Sequence, residues 1–365
     1  MKLSILPTAI AAVLLHSPTL HAGPPASLAA ASTSCESCPS NNCHCANGCT
    51  SGGHDYFTHA PIGVMGDHIH HQGGLMASYR YMFMSMQRNY DGDSRISDTA
   101  ARISNGGYMM APTDMDMQMH MLGVMYAPTD KLTLMLMAHH LENDMSMVNM
   151  MGTTSKMHTS GWGDVTLTAN YSLFADGDSS AHIGLGLSVP TGSIDEAMPS
   201  GAHMAYPMQL GSGTWDLKPS ITWLKHNTHW AFGTQASATI RLGENDNGYS
   251  LGDSLTVTSW VSRKLNSWSS VSFRLTASTW GDVDGMDDKT ALIPMGPLAG
   301  NPMSSTADPD AHGGSRINAA LGLNLWSSEH GARFGIEAGA PIYQNLNGPQ
   351  LGSEWFLTLG LQVAW

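Results

Sequence analysis

The chain has 365 residues, 42% hydrophobic and 12% charged, with a formal net charge of −13. That charged share is about half the share of ordinary soluble domains, and the acidic balance with scattered Lys and Arg excludes nucleic acid as a partner, because a phosphate backbone demands clustered basic side chains. No run of about 18 apolar residues follows the N-terminus, which excludes transmembrane helices; low charge and 39 glycines instead fit oily residues spread over many alternating strands.

Residues 1–31 read as a secretory signal, with Lys2 as a short positive start and Ile10–Leu15 as an apolar stretch too short to span a bilayer. Small residues at Ala22, Ala26 and Ala29 to Ala31 leave the cleavage site open. Removal of such a signal places the mature protein outside the cytoplasm, where disulfides are permitted. Residues 32–73 then read as an irregular Cys/His-rich periplasmic tail. Cys35, Cys38, Cys43, His44, Cys45 and Cys49 fall within 15 residues. Thiolates and imidazole suit Cu(I) or Zn(II), and the same cysteines could form disulfides, although five is odd and leaves one thiol over. His54, His59, His68, His70 and His71 lead into the first strand, and His68 and His70 share a face if the backbone is extended.

From residue 74 to 365, twelve strands are expected at about 74–88, 115–126, 131–142, 163–174, 181–190, 214–225, 229–242, 253–264, 268–280, 315–326, 332–342 and 355–365. Their apolar and polar residues alternate with the period of two that a strand imposes, and their lengths suit tilted bilayer crossings. Long connections at 89–114, 143–162, 191–213, 243–252, 281–314 and 343–354 alternate with turns of a few residues. A transmembrane antiparallel up-and-down barrel has this sorting, with long outer loops, short periplasmic turns and both termini periplasmic for an even strand count. Tyr126, Tyr171, Phe174, Trp223, Trp230, Trp268, Trp326, Trp355 and Trp365 lie near strand ends, as an interfacial girdle requires.

Methionine is concentrated early: 19 of 26 lie between 65 and 157. In the first strand Met76, Met82, Met84 and Met86 share a face opposite Leu75, Tyr79, Tyr81 and Phe83, which suit lipid. In 131–142, Met135, Met137 and His139 oppose Leu132, Leu134 and Leu136. Between them Met115, Met117, Met119 and Met121 alternate with Asp116, Gln118 and His120, and consistency with the neighbours puts these methionines toward the lumen too. Met145 and Met147, with Met150 and Met151, are expected in an outer loop. Thioethers bind Cu(I) without losing a proton; Met is also a flexible apolar filler.

Three segments carry a family resemblance: Gly161-Trp-Gly-Asp-Val-Thr-Leu-Thr-Ala-Asn-Tyr171, Leu185-Gly-Leu-Ser-Val-Pro-Thr-Gly-Ser193, and Tyr206-Pro-Met-Gln-Leu-Gly-Ser-Gly-Thr-Trp-Asp-Leu-Lys-Pro219. From about residue 61 onward the chain resembles the outer-membrane barrels called "transporter" or the meta-pathway phenol-degradation family. The resemblance implies a barrel in outer-membrane lipid that passes small substrates. The Cys-rich tail and the dense methionine depart from that pattern.

No hydrolase, phosphate-loop or zinc-protease motif occurs, so no enzyme activity is expected. Asp282, Asp284, Asp287 and Asp288 read as a solvated loop or a weak divalent-cation site. The leading expectation is an outer-membrane channel that binds and passes a soft metal ion, Cu(I) ahead of Zn(II), or a copper-bearing small molecule, with a periplasmic metal-binding protein as a further partner. The alternatives are a passive channel for small aromatic or hydrophobic compounds with a disulfide-bonded tail, and a metal-sequestering protein anchored by its barrel.

Overall fold

The computed structural model describes residues 56–365 except 105–106 and 328–329. The expected signal and the Cys35–Cys49 cluster with His44 lie outside these residues.

The strands are β1 (Leu75–Gly92), β2 (Ser94–Ile96), β3 (Met110–Thr129), β4 (Leu132–Asn149), β5 (Thr154–Trp162), β6 (Val165–Asp176), β7 (Ser179–Val189), β8 (Trp215–His226), β9 (Trp230–Leu242), β10 (Tyr249–Ser250), β11 (Ser254–Asn266), β12 (Ser269–Trp280), β13 (Asp284–Gly285), β14 (Gly314–Ser327) and β15 (Ala332–Ala364). Among the described residues a short α-helix, α1 (Asp98–Ile103), lies between β2 and β3. The order β15-β14-β12-β11-β9-β8-β7-β6-β4-β3-β1 closes on itself through β1 and β15. All of these ladders are antiparallel, so the ring is an up-and-down barrel. The last element supplies two staves, since Ala332–Leu346 pairs with β14 and Leu346–Ala364 pairs with β1. Eleven elements therefore make the twelve crossings expected from the sequence.

The alternation sets the two faces. In β15 Trp355 and Leu361, and just beyond it Trp365, point outward while Thr358, Gln362 and Ala364 are buried inside. Leu122, Val124, Tyr126, Leu134, Leu136, Leu167, Ile183, Leu185, Phe232 and Phe273 likewise cover the outside. An apolar outer wall around a polar interior is what a bilayer-spanning barrel needs. Outward Gln118 and His120 are paired with tyrosines of β1: the Tyr81 hydroxyl donates to Gln118 Oε1 at 2.9 Å, and Tyr79 Oη lies 2.8 Å from His120 Nδ1.

Side chains that mimic backbone acceptors fix the short turns. Asn227 Oδ1 accepts from the backbone N–H groups of His229 and Trp230, and Asn266 Oδ1 from that of Trp268. Two expected connections are strand instead. Residues 143–149 extend β4 and pair with β5, so Met145 and Met147 belong to a strand rather than a loop. Residues 343–354 lie within β15. Met145 and Met147 do alternate with polar residues, whereas 343–354 has no period-two pattern and carries Gly348, Pro349 and Gly352, so its composition reads as loop. Trp326 also departs from the expected girdle: it is 6% exposed and packs inward with Phe57 and Ala231.

Candidate functional site

Residues 57–72, read from the sequence as tail, fill the barrel at the end carrying the short turns. Wall residues from almost every stave hold them. Arg80 of β1 donates to the Ile62 carbonyl at 3.0 Å, Gln235 of β9 to the Met65 carbonyl at 3.0 Å, and Arg333 of β15 to the Ala60 carbonyl. His182 Nε2 of β7 lies 2.8 Å from the Gly66 carbonyl oxygen, and Thr133 Oγ1 of β4 accepts from the His70 N–H at 3.0 Å. Ala60 and Val64 pack on Trp260 of β11, and Lys264 stands 5.3 Å over the Phe57 ring. Gly63 passes against the Arg274–Glu337 ion pair of β12 and β15, where a Cβ would collide with both partners. A segment touched from all sides by inward-facing residues is a plug. Its exit is pinned at the rim, where Gly73 N–H donates to the Ala127 carbonyl at 2.8 Å and Gln72 N–H to Asp130 Oδ1 at 2.8 Å.

The plug carries a buried histidine cluster. His68 Nε2 lies 3.2 Å from His70 Nε2, and His68 Nδ1 lies 2.9 Å from Asp67 Oδ1. The His59 and His68 ring centroids are 4.0 Å apart. Asp67 also accepts the Ala60 N–H at 2.8 Å. Burial, reinforced by the nearby His68, holds His59 well below the ordinary histidine range, so it is neutral at pH 7. Burial alone would push the Asp67 carboxyl up, but His68, His59 and Arg333 together hold it well below the usual carboxylate range. A neutral His59 imidazole beside an ionised Asp67 carboxylate has the protonation states of metal ligands. Extended geometry picks out His68 and His70 from the sequence; His59 is one linker histidine among several there, and nothing local signals Asp67, whose part depends on how the segment turns.

Above and beside the plug, methionines of β1, β3 and β4 face the lumen. Met76, Met121, Met125, Met135 and Met137 form one buried cluster, with Met82 and Met119 packed against it. Met115, Met145, Met147 and Met208 form a second, with Met86, Met110, Met117, Met157 and Met204 around it. Met84 Sδ accepts from Ser353 Oγ at 3.5 Å. His139 lies further along β4, its ring tucked under Gly163. Met125 could have been found from its alternation with Met121, whereas Met204 and Met208 come from the β7–β8 connection, about 90 residues later in the chain, and no local pattern signals them.

That connection and the one between β12 and β14 lean over the end carrying the long loops. Met109 and Met110 N–H both donate to the Met303 carbonyl at 3.0 Å, and His203 Nδ1 lies 2.8 Å from Asp287 Oδ2. The family-like segments build this cover. Asp164 accepts from the N–H groups of Gly192 and Ser212, each at 2.9 Å, and from Ser212 Oγ at 2.8 Å. Gly192 needs to lack a side chain, since its Cβ would stand 2.7 Å from Gly211 Cα.

These segments fall within the comparisons. An outer membrane channel from Pseudomonas putida F1 superposes with a TM-score of 0.59 at 16% identity, covering 83% of this chain and 100% of that one. More distant are a KdgM porin, at 9% identity over 79% of this chain and 98% of that one with a TM-score of 0.38, and a Pseudomonas aeruginosa FadL homologue, at 9% over 79% and 90% with a TM-score of 0.39. No curated protein matches the chain. The family described as "Putative MetA-pathway of phenol degradation" matches residues 102–292. With more than half of its length matched on an outer-membrane-type barrel, the chain belongs to this phenol-degradation family.

Proposed function

We propose that the protein is an outer-membrane channel whose cargo is a soft metal ion, Cu(I) above all, or a small molecule carrying one. The observation that carries the reading is the pair of methionine clusters buried on the lumen side of β1, β3 and β4. A row of neutral thioethers offers weak, exchangeable sites to a soft cation and needs no deprotonation. On this reading the short-turn end faces the periplasm, where a soluble metal-binding protein would take the ion on.

The test is a Cu(I) competition titration on the intact protein with its five cysteines replaced by Ser, with and without Met135→Leu and Met137→Leu. Met and Leu are close in volume, so the wall should keep its packing to within about 1.5 kcal/mol. The expected result is a loss of Cu(I) affinity of about tenfold or more, equivalent to about 1.4 kcal/mol. Unchanged affinity would remove the metal reading of the lumen.

The second reading is a channel for small aromatic or hydrophobic compounds, favoured by the family match itself. It expects uptake of such a compound by liposomes containing the protein, unaltered by the two Met→Leu changes.

A further inference from the structure

The histidine cluster of the plug differs in kind from the methionine walls, because its donors are nitrogen and oxygen. The ligand atoms of His59, Asp67 and His68 all lie within 4.8 Å of one another. His70 adds a fourth group, its Nε2 3.2 Å from that of His68. Two nitrogens bound to one tetrahedral Zn(II) stand about 3.3 Å apart, given Zn–N lengths of about 2.0–2.1 Å. The pairing of His68 Nδ1 with Asp67 is the arrangement in which a carboxylate fixes the tautomer and orientation of a ligating imidazole and directs the other ring nitrogen at the ion.

We propose that His59, His68 and His70, with Asp67 orienting His68, form a binding site for a borderline divalent cation of the Zn(II) or Cu(II) class, and that the ion stiffens the plug. The four residues span only twelve positions, 59 to 70, of one segment, and both ends of that span are anchored to the wall. An ion there ties the start of the plug to its end. It lowers the conformational freedom of a segment that has no helix or ladder of its own over these residues. Imidazole and carboxylate favour borderline ions while thioethers favour Cu(I), so the two sites select different cargo or different oxidation states.

The experiment uses the intact protein with its five cysteines replaced by Ser, so that thiols do not compete. Zn(II) is titrated against a chromophoric chelator, and protease cutting within 57–72 is followed with and without Zn(II). One tight equivalent is expected, weakened at least tenfold by His59→Gln or His68→Gln and about tenfold by Asp67→Asn. Zn(II) is expected to slow plug cutting in the parent and not in His68→Gln. Gel mobility before and after heating reports whether each barrel is folded, and His70→Gln replaces any variant that is not. Zn(II) affinity equal in parent and folded variants, or absent from the parent, overturns the proposal. Met135→Leu with Met137→Leu should leave Zn(II) binding unchanged. Loss of Zn(II) binding without loss of Cu(I) binding, or the reverse, separates failure here from failure of the lumen reading.

Discussion

Arg333 shows how the plug is held by single side chains. It is 1% exposed and donates to the Ala60 carbonyl, to Asn324 Oδ1 at 2.7 Å and to Gln362 Oε1 at 3.0 Å. Arg333→Met keeps the apolar stem and removes every donor, leaving three buried acceptors that each cost about 1–3 kcal/mol when unpaired. The expected outcome in planar bilayers is a noisier, larger conductance than the parent's, because one end of the plug is released; an identical trace would mean that Arg333 serves only the wall. At this scale the sequence was legible wherever alternation spoke. Met76, Met135 and Met137 could be placed inward because their own strands offer Leu and Tyr to the other face, and Met121 because its neighbours do. Arg333 could not be read in the same way, since a lone Arg in a strand is equally at home on a rim, and its partner Ala60 lies 273 residues earlier.

The covering connections are organised by a few buried polar groups. Asp164, immediately before β6, binds the β7–β8 connection at both ends, through Gly192 and Ser212. Asp164→Ala leaves three donors without their charged acceptor and should destabilise that cover by about 3 kcal/mol or more. Proteolysis should then cut between residues 190 and 214 first, with the barrel's heat-shifted gel mobility unchanged. The β12–β14 connection offers a pH test. His312 sits under the Tyr206 ring, its Nε2 3.0 Å from the Thr306 carbonyl oxygen, with Asp308 and Asp282 nearby. Burial lowers it to about 4 from an ordinary 6.5. The unfolded connection therefore takes up a proton that the folded one refuses between those values. Stability rises with pH across that window and is flat above it. By pH 5 the loss should reach about 2 kcal/mol. Faster cutting of residues 281–313 at pH 5 than at pH 7.5, abolished by His312→Gln, is expected; equal rates at both pH values would exclude it. The segments bearing the family resemblance were recognisable from sequence, and what they build is this cover: Gly192 and Gly211 allow two backbones to touch. Strand ends were less legible, because β4 and β15 run on through residues whose polar faces resemble loop composition.

At the level of the whole molecule, closure was the most readable property. A chain with twelve alternating stretches and connections sorted by length can satisfy every backbone group in a bilayer only by joining its first strand to its last, and β1 meets β15 from Met76 opposite Ala364 onward. The filled interior was not readable, because residues 57–72 have no periodicity and acquire their fold from the wall. Deleting 56–72 should leave the barrel folded and raise its single-channel conductance several-fold over the parent's, measured in planar bilayers. An unchanged conductance would show that the covering loops, and not the plug, limit passage.

The attachment of the plug fixes which mouth of the barrel it belongs to. It runs into β1 through Gly73 and Gly74, at the rim of the short turns, and Gly73 holds φ at +82°, a conformation open to glycine at little cost. Phe57, at its other end, lies beside Trp326 and Lys264 near the same rim. Both described ends of the plug therefore lie at one mouth, so this stretch enters the lumen and turns back instead of threading the barrel from end to end. The wall is cut to receive it: Ile62 fills the space that side chains at Gly335 and Gly360 would take, so any larger residue at either position would push the plug off the wall.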